Sequence, residues 1–305
     1  MEHELTFTSW GCSMAGTLHI PDDDKQGRRY PAVVMCHGLA NDRDESGQHT
    51  YMAHRLQEAG YVVLRFDFRG CGASGAPRGR MLVGSEWPQD LRSALTVVSM
   101  RPEVDPARMG VLGSSAGGAV AYYTAATDRR IRCVVALGSF GSGEELLRQQ
   151  WLAQHGEDGW RRFLSNVEAD RERRVQGQVS QTVRLIGGLF PVAPEQVPFY
   201  DAFLAAHPNM VSDVPLEVAD DLLAFRPEEL VHLVAPIALQ FIHGTADPIC
   251  SVEAVQALYE RAGAPKDLRL IEGGIHQLLS PAESGEETAS RVAEMALAWF
   301  DQHLA

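Results

Sequence analysis

Met109-Gly110-Val111-Leu112-Gly113-Ser114-Ser115-Ala116-Gly117-Gly118-Ala119-Val120 joins an apolar run to a segment of small residues. Residues 109–113 read as a buried strand and those from 117 onward as a closely packed helix, so Ser115 sits on the turn between them. A chain that reverses sharply from strand to helix leaves no room for side chains beside the turn, and Gly113, Gly117 and Gly118 supply that room. The pattern fits GxSxG, in which the central serine is presented as a nucleophile. Its place at a helix N-terminus favours negative charge developing there. The plainer alternative is a glycine-rich turn that only packs helix against strand. Ser114, one position early, is expected to point elsewhere.

A serine hydroxyl attacks when a base takes its proton, and a neutral imidazole oriented by a carboxylate performs that task. Phe241-Ile242-His243-Gly244-Thr245-Ala246-Asp247-Pro248 puts Asp247 just past an apolar strand, and Glu272-Gly273-Gly274-Ile275-His276 puts His276 in a glycine-loosened loop. Taken singly, a loop aspartate is a turn former, and one histidine among eleven is a surface or structural residue. Taken jointly, each follows a strand, where parallel sheets collect their sites. Ser115, Asp247 and His276 are therefore the candidate catalytic triad.

Around these segments, short apolar runs alternate with amphipathic stretches, the pattern of a mostly parallel sheet covered by helices on both faces. The runs 5–9 and 16–21 predict an opening antiparallel pair. The runs 32–36, 62–66, 109–113, 133–137, 237–242 and 268–271 predict six more strands, eight in all. Helices are predicted over 49–59, 87–100, 117–127, 252–262 and 287–303. From about Phe140 to Ala235 the alternation stops: no strand is predicted, and apolar residues recur at helical spacing. Pro191, Pro194, Pro198, Pro208 and Pro215 are expected to divide this interval into short helices. Because the chain returns to a strand at Ile237, residues 1–139 and 236–305 form the expected core and 140–235 a helical cap inserted after the sixth strand. Trp151, Trp160, Phe163, Phe190, Phe199 and Phe203 exceed what a thin solvated flap needs, which makes them candidate substrate-binding residues. The alternative is that they cement the cap's own helices or form a homodimer contact.

In these motifs the sequence resembles the α/β-hydrolase superfamily over nearly the whole chain outside the insertion, and the order Ser115, Asp247, His276 is the order of that fold. Cys36-His37-Gly38-Leu39 resembles the HG-x segment of these hydrolases, and Asp67-Phe68-Arg69-Gly70-Cys71-Gly72-Ala73-Ser74 resembles their DxRGxGxS loop. The first resemblance implies that the Leu39 and Ala116 amides form the oxyanion hole, with His37 structural. The second implies that Asp67 and Arg69 tie backbone together, with a substrate-binding pair as the alternative. Within the superfamily the chain is most similar to bacterial esterases of the feruloyl or cinnamoyl type, through Gly16-Thr17-Leu18-His19-Ile20-Pro21, the HG-x loop and the helical insertion. It departs from many of them in carrying Ser114 where they have histidine before the nucleophile.

Composition narrows the function classes. With 45% hydrophobic and 22% charged residues the 305-residue chain is ordinary globular material. Its net charge of −13 removes the long-range attraction that nucleic acid or an anionic membrane would need. No apolar run approaches the ~18 residues of a membrane span, and the N-terminus lacks the basic-then-apolar order of a signal peptide, so a cytoplasmic location is expected. The five cysteines (Cys12, Cys36, Cys71, Cys133, Cys250) are scattered singly and read as reduced thiols; Cys71 and Cys250 are expected to be small buried residues near the pocket. No local spacing suits a metal, and neither metal nor cofactor is expected.

The expected activity is a serine hydrolase cleaving a carboxylic ester of a small, largely hydrophobic molecule through an acyl-enzyme. A biosynthetic thioesterase or an eliminating lyase would use the same Ser–His pair. A peptidase of the prolyl-oligopeptidase kind is disfavoured by the missing large N-terminal domain, and a non-catalytic small-molecule receptor by the intact triad.

Overall fold

The structure, a computed structural model, describes residues 1–22 and 27–304. Residues 23–26 and Ala305, all within the expected core segments, lie outside the described residues. The chain opens with an antiparallel hairpin of β1 (Glu2–Ser9) and β2 (Cys12–His19). Then follow β3 (Tyr30–Cys36), α1 (Gln48–Glu58), β4 (Val62–Phe66), α2 (Trp87–Ser99), β5 (Val104–Ser114), α3 (Ala116–Ala125) and β6 (Ile131–Leu137). Between β6 and the next sheet strand lie α4 (Gly143–Val175), β7 (Thr182–Arg184), α5 (Val197–Ala206), β8 (Asp213–Pro215) and α6 (Glu217–Ala224). The chain ends with β9 (Ala238–Gly244), α7 (Val252–Arg261), β10 (Lys266–Ile271), α8 (Pro281–Ser284) and α9 (Glu286–Leu304).

Eight strands form one sheet in the order β1-β2-β4-β3-β5-β6-β9-β10, parallel from β4 to β10. Alternation along the strands explains why both faces are covered. In β3, Val33 and Met35 pack with Met52 and Leu56 of α1 and Phe300 of α9. Ala32, Val34 and Cys36 point the other way, into the layer that holds Trp87 and Leu91 of α2 and the small residues of α3. Among the described residues, no helix is long and apolar enough to cross a membrane.

Two expectations for residues 140–235 need correction. β7 and β8 pair as an antiparallel ribbon separate from the main sheet, and at three residues each they are too short to carry a period. The interval also begins with one long element rather than short helices: α4 runs 33 residues, broken only at Gly156, where φ is +63°. All five prolines of this segment come after α4, so none can interrupt it. Only Pro198 opens an α-helix there, at the first turn of α5, where its missing N–H costs nothing.

Candidate active site

Parallel strands end on the same side of the sheet, and the loops after β3, β5, β9 and β10 converge there. Ser115 leaves β5 with φ 52° and ψ −118°, an unusual conformation for a residue with a side chain, and its N–H donates to Leu137 O at 2.8 Å. The glycines beside it are required by contact. A Cβ on Gly117 would collide with Cys36 O, and one on Gly113 with Gly117 O. Helix α3 is thereby pressed onto the ends of β3 and β5, which leaves Ser115 projecting into a cavity of ≈180 Å³.

His276 lines the same cavity. Its Nδ1 lies 2.7 Å from Asp247 Oδ2, and the other oxygen, Oδ1, accepts the Ile249 (2.8 Å) and Cys250 (3.0 Å) amides. Burial on its own raises this carboxyl, but the His276 charge and hydrogen bond, with the two amides, hold it below the usual carboxylate value. Asp247 therefore stays ionised and fixes Nδ1 as the protonated nitrogen, leaving Nε2 as the basic one. Among the described residues no hydrogen bond joins Ser115 to His276; such contacts are often loose until substrate is bound.

Leu39 and Ala116 both line the cavity, and neither amide donates to a protein acceptor among the described residues. His37 is buried and spans backbone: its Nδ1 donates to Gly38 O at 2.7 Å while Nε2 accepts the Phe68 amide at 3.0 Å. Asp67 accepts the Arg43 and Ala73 amides at 2.7 and 2.8 Å, and Arg69 pairs with buried Asp90, so both tie backbone and sheet together. Ser114 hydrogen-bonds His49 Nε2 at 3.1 Å. Burial pushes the Cys71 and Cys250 thiols up, as expected of small core residues.

The six aromatic candidates of the insertion separate into two groups. Phe190 and Phe203 line the cavity. Trp151, Trp160, Phe163 and Phe199 do not. Trp151 and Trp160 stack on Phe163 (ring centroids 4.6 and 5.6 Å), and Trp151 Nε1 donates to Leu189 O at 3.1 Å, which cements α4 to the chain after β7. Phe199 is 68% exposed. Most of the apolar wall comes instead from aliphatic residues, among them Leu146, Leu185, Ile186, Leu204 and Met210. The polar wall includes Glu45, Gln48 and Gln277, of which Gln48 Oε1 accepts the Leu279 amide at 3.1 Å. No sequence signal separated these from other polar residues of the chain.

Two groups of side chains among the described residues bring metal-ligand atom types together. In Glu2, His19 and His54, the His19 Nε2 accepts from Arg65 Nε at 2.9 Å, so its Nδ1, the atom facing Glu2, carries the hydrogen. In Asp247, Cys250 and His276, both carboxylate oxygens are engaged and the thiol is held protonated by burial. Neither donor set suits a resident metal.

This strand order, with the serine turn after β5 and the Asp and His loops after β9 and β10, is the architecture of the α/β hydrolases. The chain belongs to the Hydrolase_4 family, described as "Serine aminopeptidase, S33", whose model matches residues 28–283. An uncharacterised 31.7 kDa protein from Escherichia coli is 26% identical over 95% of this chain and 96% of its own. Thiohydrolase aneE of Aspergillus aculeatus is 24% identical (90% of this chain, 86% of that one), and a monoacylglycerol lipase of Mycolicibacterium smegmatis 25% (96% and 95%). Solved structures share the fold. The α/β hydrolase GrgF from Penicillium sp. has TM-score 0.81 at 21% identity, covering 100% of this chain and 99% of its own. Est1E of Butyrivibrio proteoclasticus with ferulic acid bound has TM-score 0.71 at 16% identity, covering 97% and 99%.

Proposed function

We propose that this hydrolase cleaves a carboxylic ester of a small, largely hydrophobic molecule through an acyl-enzyme. Ser115 attacks the carbonyl, His276 takes its proton and returns it to the leaving group, and Asp247 orients the imidazole and stabilises its charged form. The Leu39 and Ala116 amides receive the oxyanion, and water then releases the acid by the same route in reverse. The observation that carries this reading is the meeting of Ser115, on its strained turn, with the Asp247-bound His276 at one cavity. The segment between β6 and β9 serves as the cap, and its aliphatic wall favours an apolar acyl or aryl group.

A thioester substrate is the second reading, favoured by the likeness to a thiohydrolase along most of both chains. The test begins with a fluorophosphonate probe: covalent labelling of Ser115 is expected, and an inert Ser115 refutes the mechanism. Acyl p-nitrophenyl esters, aryl esters and acyl thioesters assayed side by side then identify the leaving group, with higher kcat/KM on the oxygen esters expected.

A further inference from the structure

The loop after β3 carries a carboxyl group that this reaction does not use. Glu45 lines the cavity with Ser115 and His276, yet only 4% of its surface is exposed. Glu45 and Ser46 adopt φ values of 49° and 53°, a region that residues with a Cβ rarely enter. The side chain is turned inward, where the Gly38 N–H donates to Oε2 at 2.5 Å and Asn41 Nδ2 to Oε1 at 3.3 Å. Gly38 is confined from both sides: a Cβ on it would lie 2.9 Å from Glu45 Oε1 and 3.3 Å from Ser115 Cβ. The next residue is Leu39, one of the two oxyanion donors.

We propose that Glu45 is a positioning residue of the oxyanion hole, whose carboxyl holds the Gly38 amide and so aims the Leu39 N–H at the substrate oxygen. This rests on the acyl-enzyme reading above. A neutral carboxyl accepts the Gly38 hydrogen through its carbonyl oxygen and adds no charge. Once ionised, it places a negative charge behind the hole just as the substrate oxygen becomes an anion, and the stabilisation there falls.

The surroundings keep the group neutral near pH 7. Burial, reinforced by Asp42, pushes its carboxyl up to about 8 against the opposing bonds from Gly38 and Asn41. Facing it are Asp42 on its own loop, His49 of α1 with Nε2 3.7 Å from Oε2, Cys36 at the end of β3 and Cys71 after β4. Burial holds His49 well below the usual histidine value and raises both thiols. None of these groups therefore offers a positive charge to offset an ionised Glu45.

The experiment is kcat and KM for a p-nitrophenyl ester between pH 6 and 10, in the wild type, Glu45→Gln, Glu45→Ala and Ser115→Ala. In the wild type kcat/KM should fall by about tenfold or more between pH 7 and 9.5. Glu45→Gln should lack that fall, because its amide oxygen accepts from Gly38 and cannot ionise. Glu45→Ala should lose about tenfold or more in kcat at pH 7 with little change in KM, since the hole forms only for the transition state, and Glu45→Gln should recover most of the loss. A fall in Glu45→Gln as steep as in the wild type overturns the proposal, as does a wild-type profile flat to pH 9.5. The glutamine comparison still decides if the alanine variant does not fold. Retained turnover in Ser115→Ala refutes the acyl-enzyme reading instead, so the two failures are distinguishable.

Discussion

Below the cavity, side chains are held by polar contacts both within their own loops and from distant parts of the chain: Asp247 by the Ile249 and Cys250 amides and by His276, His37 by Gly38 and by Phe68, and Gln48 by Leu279. Above it, α5 contributes Tyr200, Phe203 and Leu204 to the wall but buries none of its ten residues. The floor is over-determined, so its geometry survives small changes only where backbone contacts are kept. The roof combines apolar packing with surface polar contacts such as the Arg184–Asp201 ion pair, and substitutions at its wall should change the shape of the cavity without displacing Ser115, Asp247 or His276. Floor and roof are thus separately built halves of one cavity.

Substitutions can break this contrast or sharpen it. The largest effect is expected at Ser115: Ser115→Ala should remove about 10⁴-fold or more of kcat while thermal unfolding stays cooperative. His276→Ala should cost a comparable factor, without adding to it in the double variant. Next comes Gly117→Ala, where the new methyl meets the Cys36 carbonyl. A backbone clash of this kind should destabilise the fold by about 3 kcal/mol or more in urea unfolding; a wild-type midpoint would mean that α3 is not pressed onto β3 as described. On the roof, Phe203→Ala should lower the ratio of kcat/KM for bulky aryl over acetyl esters by about tenfold, the worth of part of an apolar contact, with no change in fluorophosphonate labelling. The smallest effect belongs to exposed Phe199. Phe199→Ser should leave stability within about 0.5 kcal/mol and the substrate ratio unaltered; a changed ratio would move the pocket boundary outward across α5.

The same division governs what could be read from the chain before its structure. The serine turn was legible because the glycines it needs lie within six residues of one another, Gly113 and Gly118 meeting across the turn itself, although the contact that requires Gly117 comes from the distant Cys36 carbonyl. The strands of the sheet followed from short apolar runs buried on both faces, and its helices from amphipathic stretches long enough to show a period. Asp247 and His276 were legible only as a pair of strand ends, and the structure joins them at 2.7 Å. The roof was not legible, because nothing in a run of apolar residues says which partner each will face. Trp151, Trp160 and Phe163 found one another, while Leu185 and Ile186, beside a ribbon too short to detect, reached the cavity. Glu45 was hidden for the opposite reason. In Asn41-Asp42-Arg43-Asp44-Glu45 it looks like one more solvated charge, and only the positive φ at Glu45 and Ser46 turns it inward.

The contact between Gly117 and the Cys36 carbonyl also sets an order of events during folding. The serine turn and the loop after β3 are about 80 residues apart in the chain, and their contact forms only when β3, β5 and α3 are docked. Such non-local pairings close late because the intervening chain must first be brought together. Recovery of fluorophosphonate labelling at Ser115 after dilution from denaturant should therefore report completion of the central sheet, whereas fluorescence of a variant that keeps only Trp151 and Trp160 of the five tryptophans should report collapse of α4. The two signals need not coincide, and an interval between them would be the time the chain spends with its helical arm formed and its reactive centre still unassembled.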